Sequence, residues 1–333
     1  MINLESFLAK VNTSLQAHRA VEAGGYRRRL LDAPQAELYG TSDAVIIQYT
    51  TGELPQKPDA RQQLVERLQS FQDREDGLFT GAGHHPIHAT AFAISAMELL
   101  DAKPLRPLEG LRGLRSRQEL HRFLDGLDWR REPWRDSQKG AGIYAAMVLS
   151  GEADAAWEDW YFEWLWQEAD PGSGLWRRGA VPAAGEAAYA GAPLFHHLAG
   201  SFHYLFNQNY RKRPLRYPEQ MADTCLELYA AGQIPESRDD FSFYELDVLY
   251  TTTGVMAQTA HRHEELRRMN EEIGGRFLKF LAERTAREGE DFFPDLHTLC
   301  GAVCALAIVQ SFMPEQVGIG RALNKVLDRR PFI

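Results

Sequence analysis

The strongest constraint on this chain is a repeated unit, in which a helix-patterned stretch leads through a short turn into a second helix rich in small residues. It is clearest from Arg61 to Leu100. There RQQLVERLQSFQ spaces its apolar residues as a helix does, DREDGLF turns the chain, and HATAFAISAMELL continues as a helix. The same order runs from Ala155–Gln167 through DPGSGLW to a helix over about His197–Asn207. It runs again from Gly275–Thr285 through REGEDFF to LHTLCGAVCALAIVQ. The turns align as DGLF, SGLW and EDFF. A glycine there permits positive φ, and the aromatic can plug the gap between neighbouring hairpins.

Weaker copies fill the spaces. Tyr26–Leu31 precedes GTSDAVIIQYTTG, Leu120–Leu127 precedes WRDSQKGAGIYAAMVLSG, and Pro218–Ala231 precedes FSFYELDVLYTTTGVMAQ. The second helices are predicted to begin near Thr41, Ile87, Ser137, His197, Glu245 and His297, at spacings of roughly 45 to 60 residues, as in helical-hairpin repeats. The longest interval holds VPAAGEAAYAGAP, which reads as an inserted loop. Six hairpins with charged outer helices and less charged inner ones predict an all-α fold, an (α/α)6 toroid occupying residues 1–333 as a single domain. An open superhelix is the rival, but no polar capping repeat stands out.

Composition narrows the function classes. A net charge of -9 argues against nucleic acid as the main partner, because phosphate contacts need a basic surface. No stretch approaches the roughly 18 apolar residues of a membrane span. Met1–Lys10 lacks the basic start and apolar run of a secretory signal. Cys225, Cys300 and Cys304 make no disulfide framework. A cytoplasmic location is expected. There is no phosphate-binding loop, dinucleotide fingerprint or Gly-x-Ser-x-Gly elbow.

The stretch LQSFQDREDGLFTGAGHHPIHATAFAISAMELL resembles the repeat of the terpenoid cyclase and protein prenyltransferase superfamily, and Ala155–Trp176 resembles it more loosely. The resemblance implies an α/α toroid, an architecture also used by carbohydrate lyases, glycoside hydrolases and sugar epimerases. It does not bring the superfamily's chemistry. The nearest string to the Asp-x-Asp-Asp acid motif is Asp73-Arg74-Glu75-Asp76, within the turn. Asp239-Asp240 followed by Phe241, Ser242 and Phe243 fails the Asp-Asp-x-x-Asp pattern. Asp223-Thr224-Cys225 with His297 mimics a prenyltransferase zinc set, yet Asp223 and Cys225 fall on a predicted outer helix. No cofactor is expected; zinc or another divalent metal would have that mimic to use, or Glu245, Asp247 and His297 from adjacent helices.

Parallel inner helices would gather their N-termini at one mouth, where free N–H groups suit oxygen-rich ligands. Those starts are strongly polar: Thr41, Ser42 and Asp43; His84, His85 and His88; Trp134, Arg135, Asp136 and Lys139; His196, His197, Ser201 and His203; Tyr244, Glu245 and Asp247; Asp295, His297 and Thr298. Seven of the 11 histidines fall in these six windows, more than a random scatter would place there, although a single His at a helix start reads as a cap or a space-filler. His203, Asp247, His297, His88 and His197 are the candidate acid–base residues, because imidazole exchanges a proton near neutral pH and a carboxylate can orient it. Asp43, His85, Trp134, Asp136, Tyr204, Tyr244 and Glu245 are candidate substrate contacts. Trp134 and Trp176 lie nearest the expected mouth, whereas Trp157, Trp160, Tyr161 and Trp164 share one helix face and read as packing. In Ser201–Arg213, His, Tyr, Asn and Arg together resemble the equipment of toroidal polysaccharide lyases.

The expected function is a small-molecule enzyme using His/Asp acid–base chemistry at that mouth. The alternatives are a carbohydrate-active lyase, hydrolase or epimerase with a saccharide ligand, and a non-catalytic binding module. An apolar cavity walled by Phe and Trp would favour an isoprenoid. A polar cleft shared by His88, His203, Asp247 and His297 would favour a sugar.

Overall fold

Helices of two kinds alternate along the chain, and the difference between them builds the fold. In a computed structural model that describes residues 1–182, 191–287 and 292–333, the α-helices are α1 (Glu5–Ala17), α2 (Leu38–Thr50), α3 (Pro58–Ser70), α4 (Pro86–Leu99), α5 (Arg117–Asp125), α6 (Pro133–Ser150), α7 (Ala155–Glu168), α8 (Leu194–Tyr210), α9 (Pro218–Ala230), α10 (Tyr244–Met256), α11 (His263–Ala286) and α12 (Leu296–Phe312). The even-numbered helices are buried almost all round. In α4 every residue but Pro86 and Glu98 is buried, as expected of a helix apolar on all faces. The odd-numbered ones bury a single stripe, such as Leu64, Val65 and Leu68 of α3.

The buried helices pack in succession, α2 on α4, α4 on α6, α6 on α8, α8 on α10 and α10 on α12, and α12 packs back on α2. The odd helices cover them from outside: α3 lies on α2 and α4, α9 on α8 and α10, and α11 on α10. Two short strands, β1 (Ile2–Asn3) and β2 (Val317–Gly318), pair in parallel and tie the first residues to those after α12. The buried apolar side chains form one continuous cluster from Leu4 to Phe332. Among the described residues no helix is long and apolar enough to cross a membrane.

A shared rung explains why the hairpins stack. The turn aromatics Tyr26, Phe79 and Trp176 each direct their backbone N–H to a hydroxyl on the following buried helix: Thr41 Oγ1 at 3.2 Å, Thr90 Oγ1 at 2.9 Å and Ser201 Oγ at 3.0 Å. The aromatic rings are buried in the core. Each rung satisfies a buried amide and anchors a ring worth about 1.5–3 kcal/mol on burial. Gly77 and Gly174 have φ of 72° and 74°, as the predicted turns require. The third aligned turn, EDFF, begins with Glu290 and Asp291, which lie outside the described residues, as do Ala183–Ala190 of the predicted inserted loop.

The buried helices begin one to four residues before the predicted positions, α6 at Pro133 showing the largest offset. Two expectations need correction. The outer helix of the first hairpin is α1, not Tyr26–Leu31. That stretch is held extended: Tyr26 bridges Arg19, Arg29 bridges Asp295, and the Arg27–Arg28 backbone lies directly against Gly40 of α2. A Cβ at Gly40 would fall 2.4 Å from the Arg27 carbonyl carbon, so only glycine admits this approach. The helix predicted from Gly275 starts twelve residues earlier, at His263, because Leu266, Met269 and Ile273 already supply a buried stripe.

Candidate active site

The N-terminal ends of the buried helices enclose a cavity of about 280 Å³. Its polar lining comes from Arg28, His84, His88, Gln138, His203, Asp247 and His297; its apolar lining includes Phe92, Trp134, Phe202, Phe243, Leu246 and Ile333. Four of the candidate acid–base residues, from α4, α8, α10 and α12, therefore share one space. The cavity is neither purely aromatic nor purely polar.

Local structure holds each imidazole. Asp295 caps α12 by accepting from the His297 N–H at 2.9 Å. Its carboxylate also binds Arg28 Nε at 2.9 Å, which fixes the one Lys or Arg side chain in the cavity wall among the described residues. His297 Nδ1 lies 3.0 Å from Oδ1 of Asp43, a fully buried residue of α2. A carboxylate accepts there, so the imidazole proton sits on Nδ1 and Nε2 is left as an acceptor toward the cavity. This contact joins the first hairpin to the last. The Cys300 thiol lies alongside Asp43, and burial together with Cys304 raises its pKa well above the usual thiol value.

His203 is set in the same way by a different partner. Its Nδ1 is 2.8 Å from Ser137 Oγ, which donates to the Trp134 carbonyl at 3.0 Å. The consistent chain is His203 Nδ1–H to Ser137 to Trp134, again leaving Nε2 as an acceptor. His88 has the opposite polarity. The Tyr39 hydroxyl lies 2.6 Å from its Nδ1, and burial holds that phenol protonated, so Tyr39 donates and His88 carries its proton on Nε2. His84 stacks on both Tyr39 and His88, with ring centroids 4.6 and 4.5 Å apart.

Burial dominates the electrostatics. It pushes His203 down to about 3 and His84 to about 4, and it holds His88 well below the ordinary imidazole value, with help from neighbouring histidines. Burial raises Asp247 well above the carboxylate range, with Glu245 adding to it, and Asp247 Oδ2 has no hydrogen-bond partner among the described residues. Asp43 is also raised by burial, against the pull of His297 and Arg28. Burial lowers the pKa of Arg28 and raises that of Asp295; their mutual bond outweighs it, leaving Arg28 high and Asp295 low. Burial thus disfavours the charged forms of His84, His88, His203 and Asp247, and the one guanidinium in the wall is matched.

Phe243 completes the wall. It enters α10 in the left-handed region, φ 64°, which costs a bulky residue about 1 kcal/mol or more. Its ring then packs 5.3 Å from His297 and over Gly301 of α12. A Cβ on Gly301 would fall 2.4 Å from that ring.

The other candidates lie elsewhere. Asp43 is behind His297 rather than in the wall. His197 is fully buried against the Trp176 backbone, outside the cavity lining. His85 caps α4 by accepting from the Ile87 N–H at 3.2 Å. Asp136 pairs with Lys139 at 2.6 Å and accepts from the Asp128 N–H. Tyr204 sits in the core against Trp129, Trp164 and Trp176. Trp176 is itself buried, donating from Nε1 to the Leu165 carbonyl. Tyr244 packs on Trp134 and Phe195. Glu245 turns away to accept from the Ser237 N–H and hydroxyl, both at 2.7 Å. Asp223 binds His261 and Arg262 at the surface, and no three His, Cys, Asp or Glu are grouped as metal ligands among the described residues.

Arg28, Tyr39 and Phe243 were not singled out from sequence. Arg28 hid in a stretch read as helix. Tyr39 lies two residues before the expected start of α2, and its pairing with His88 needs two hairpins side by side. Comparison with protein-family models, with curated proteins and with solved structures found no match for the chain.

Proposed function

We propose that this protein is an (α/α)6 toroid, akin to the terpenoid cyclase and prenyltransferase superfamily, whose cavity transfers protons on a small neutral molecule. The observation that carries the reading is the Asp43–His297 pair opening onto the same cavity as Asp247, whose buried Oδ2 has no partner among the described residues and whose pKa burial raises. Asp247 gives a proton to one atom of the ligand and His297 Nε2 takes one from another. Asp43 keeps the imidazole in the accepting tautomer and stabilises the imidazolium that forms. The sum is an isomerisation, or an elimination when the protonated group departs as water. Proton exchange with solvent then restores Asp247 and His297.

The cavity limits the ligand. Its volume lies near the lower end of the roughly 300–1,000 Å³ of small-molecule sites. Arg28 is already matched by Asp295, leaving no spare cation for a diphosphate or a uronate. Donors at His88 and Asp247 and acceptors at His203 and His297 suit hydroxyl and carbonyl groups, while the phenylalanines and Trp134 suit an apolar face. A sugar epimerase fits these constraints as a second reading, Trp134 being a stacking surface. A glycoside hydrolase fits less well, because it uses two carboxylates and Asp247 is the one acidic side chain in the lining among the described residues.

The test is deuterium uptake. A mixture of small neutral hydroxy and carbonyl compounds is incubated with the protein in D2O and read by mass spectrometry. A compound should gain deuterium with the native chain, and Asp247→Asn or His297→Ala should slow this at least a hundredfold while each remains folded. Equal uptake with all three proteins, or none with any, overturns the assignment.

A further inference from the structure

The opposite end of the helix assembly holds a larger cavity, of about 660 Å³, between the C-terminal ends of α8, α10 and α12 and the segment 325–333. It meets the proton-transfer cavity at a thin partition, with Leu246, Cys304 and Ile333 lining both. Its chemistry is different. The floor is apolar, with Leu246, Ile308 and Val326, and the rim carries the side chains of Lys212, Arg213 and Lys325 against one acidic side chain, Asp328. Lys325 pairs with Asp328 at 3.1 Å, and Arg213 with Asp159 outside the cavity at 2.6 Å. Lys212 has no ion pair among the described residues.

The uncharged groups point the same way. The Tyr250 oxygen accepts from Asn209 Nδ2 at 3.0 Å, leaving the phenol proton to donate. Gln258 Oε1 accepts from the Leu215 N–H at 2.7 Å, leaving its amide N–H groups. The last carbonyls of α8 are occupied: those of Asn207, Gln208 and Asn209 accept from the N–H groups of Arg211, Arg213 and Lys212. The result is a cationic, donor-rich rim over an apolar floor, on a chain whose net charge is -9.

We propose that this second cavity binds an amphipathic carboxylate, a monocarboxylic acid with a short to medium apolar tail. The tail lies on the Leu246–Ile308–Val326 floor. The carboxylate is held at the rim by Lys212 and Arg213, with the Tyr250 hydroxyl donating to it.

Calorimetric titration of the full chain with sodium octanoate tests this. The native protein should bind one octanoate saturably. The double variant Lys212→Ala/Arg213→Ala should bind it at least tenfold more weakly, and Tyr250→Phe several-fold more weakly. Octanol and octylammonium should bind at least tenfold more weakly than octanoate. His297→Ala should bind octanoate as the native chain does, which separates this site from the proton-transfer reading. No saturable octanoate binding, equal binding of octanol or octylammonium, or native affinity in the folded double variant overturns the proposal.

Discussion

The two ends of the helix assembly solve opposite problems with the same helices. At the N-terminal end, Arg28 is met by Asp295, His297 by Asp43 and His203 by Ser137, while Asp247 is left without a partner among the described residues. Burial holds His84, His88 and His203 below the ordinary imidazole value. At the C-terminal end, the rim is charged, with three cationic side chains to one acidic one. A desolvated, internally matched site suits proton movement, because it adds no fixed charge of its own and strengthens each interaction inside it. An unmatched donor surface suits capture of an anion. One helix, α10, serves both ends, with Asp247 in the first cavity and Tyr250 in the second.

The partition between the ends offers the harshest test of that contrast. Phe332 is fully buried, edge-on to His88 at 5.2 Å and to Phe206 at 6.1 Å. Its segment is pinned by Arg330, which donates to the Glu98 carbonyl at 2.6 Å and pairs with its carboxylate at 3.1 Å, and by the Asn207 amide on the Pro331 carbonyl. Phe332→Ala removes a large buried ring next to Ile333, one of the residues that line both cavities. It should destabilise the fold by about 3–5 kcal/mol, read from the denaturation midpoint. It should also join the two spaces, so that octanoate protects His88 from alkylation in the variant but not in the native chain. A variant with native stability would show that the two ends are not divided here.

A second substitution perturbs one end alone. Gly301→Ala places a methyl into the Phe243 ring, which is already held in a strained backbone region. Overpacking of this kind costs about 1–3 kcal/mol. Phe243 should move off His297, so deuterium uptake should fall at least tenfold while octanoate affinity stays within twofold. A matching loss of octanoate binding would mean that the ends are mechanically coupled.

Most of the helices and the first polar end were legible in the sequence, for a physical reason: both follow from local order. Gly77 and Gly174 mark turns by their φ, and the apolar runs of α4 and α12 mark buried helices by composition. The histidines of His84–His88 and His196–His203 sit at helix starts, where counting along the chain finds them. What stayed hidden depends on proximity between distant segments. Tyr204 reads like a pocket residue but turns into the core, over Gly140, where a Cβ would fall 2.2 Å from its hydroxyl. Glu245 and Asp247 are two residues apart with similar composition around them, yet one binds Ser237 and the other faces the cavity. The second cavity left no motif, because its donors come from α8, α10 and the segment after α12, and its character lies in which partners are already taken.

The smallest expected effect separates the ends by pH. His203 titrates near 3 in the folded chain and near 6.5 when unfolded, so below pH 6.5 the unfolded chain binds the extra proton. Stability is therefore intact above 6.5 and falls as pH drops toward 3. Asp247 runs the other way: its folded pKa is raised, so its share is intact below about 3.9 and is lost as pH rises toward the folded value. His203→Gln keeps a side chain that can bond Ser137 but cannot titrate. Between pH 6.5 and 5.5 it should lose less stability than the native chain by on the order of 1 kcal/mol, since one pKa unit corresponds to about 1.4 kcal/mol. Asp247→Asn should gain on the native chain as pH rises above about 4. Paired urea denaturations at each pH measure both slopes. If neither slope differs from the native one, the first cavity is open to water, and the distinction drawn between a dry end and a charged end fails with it.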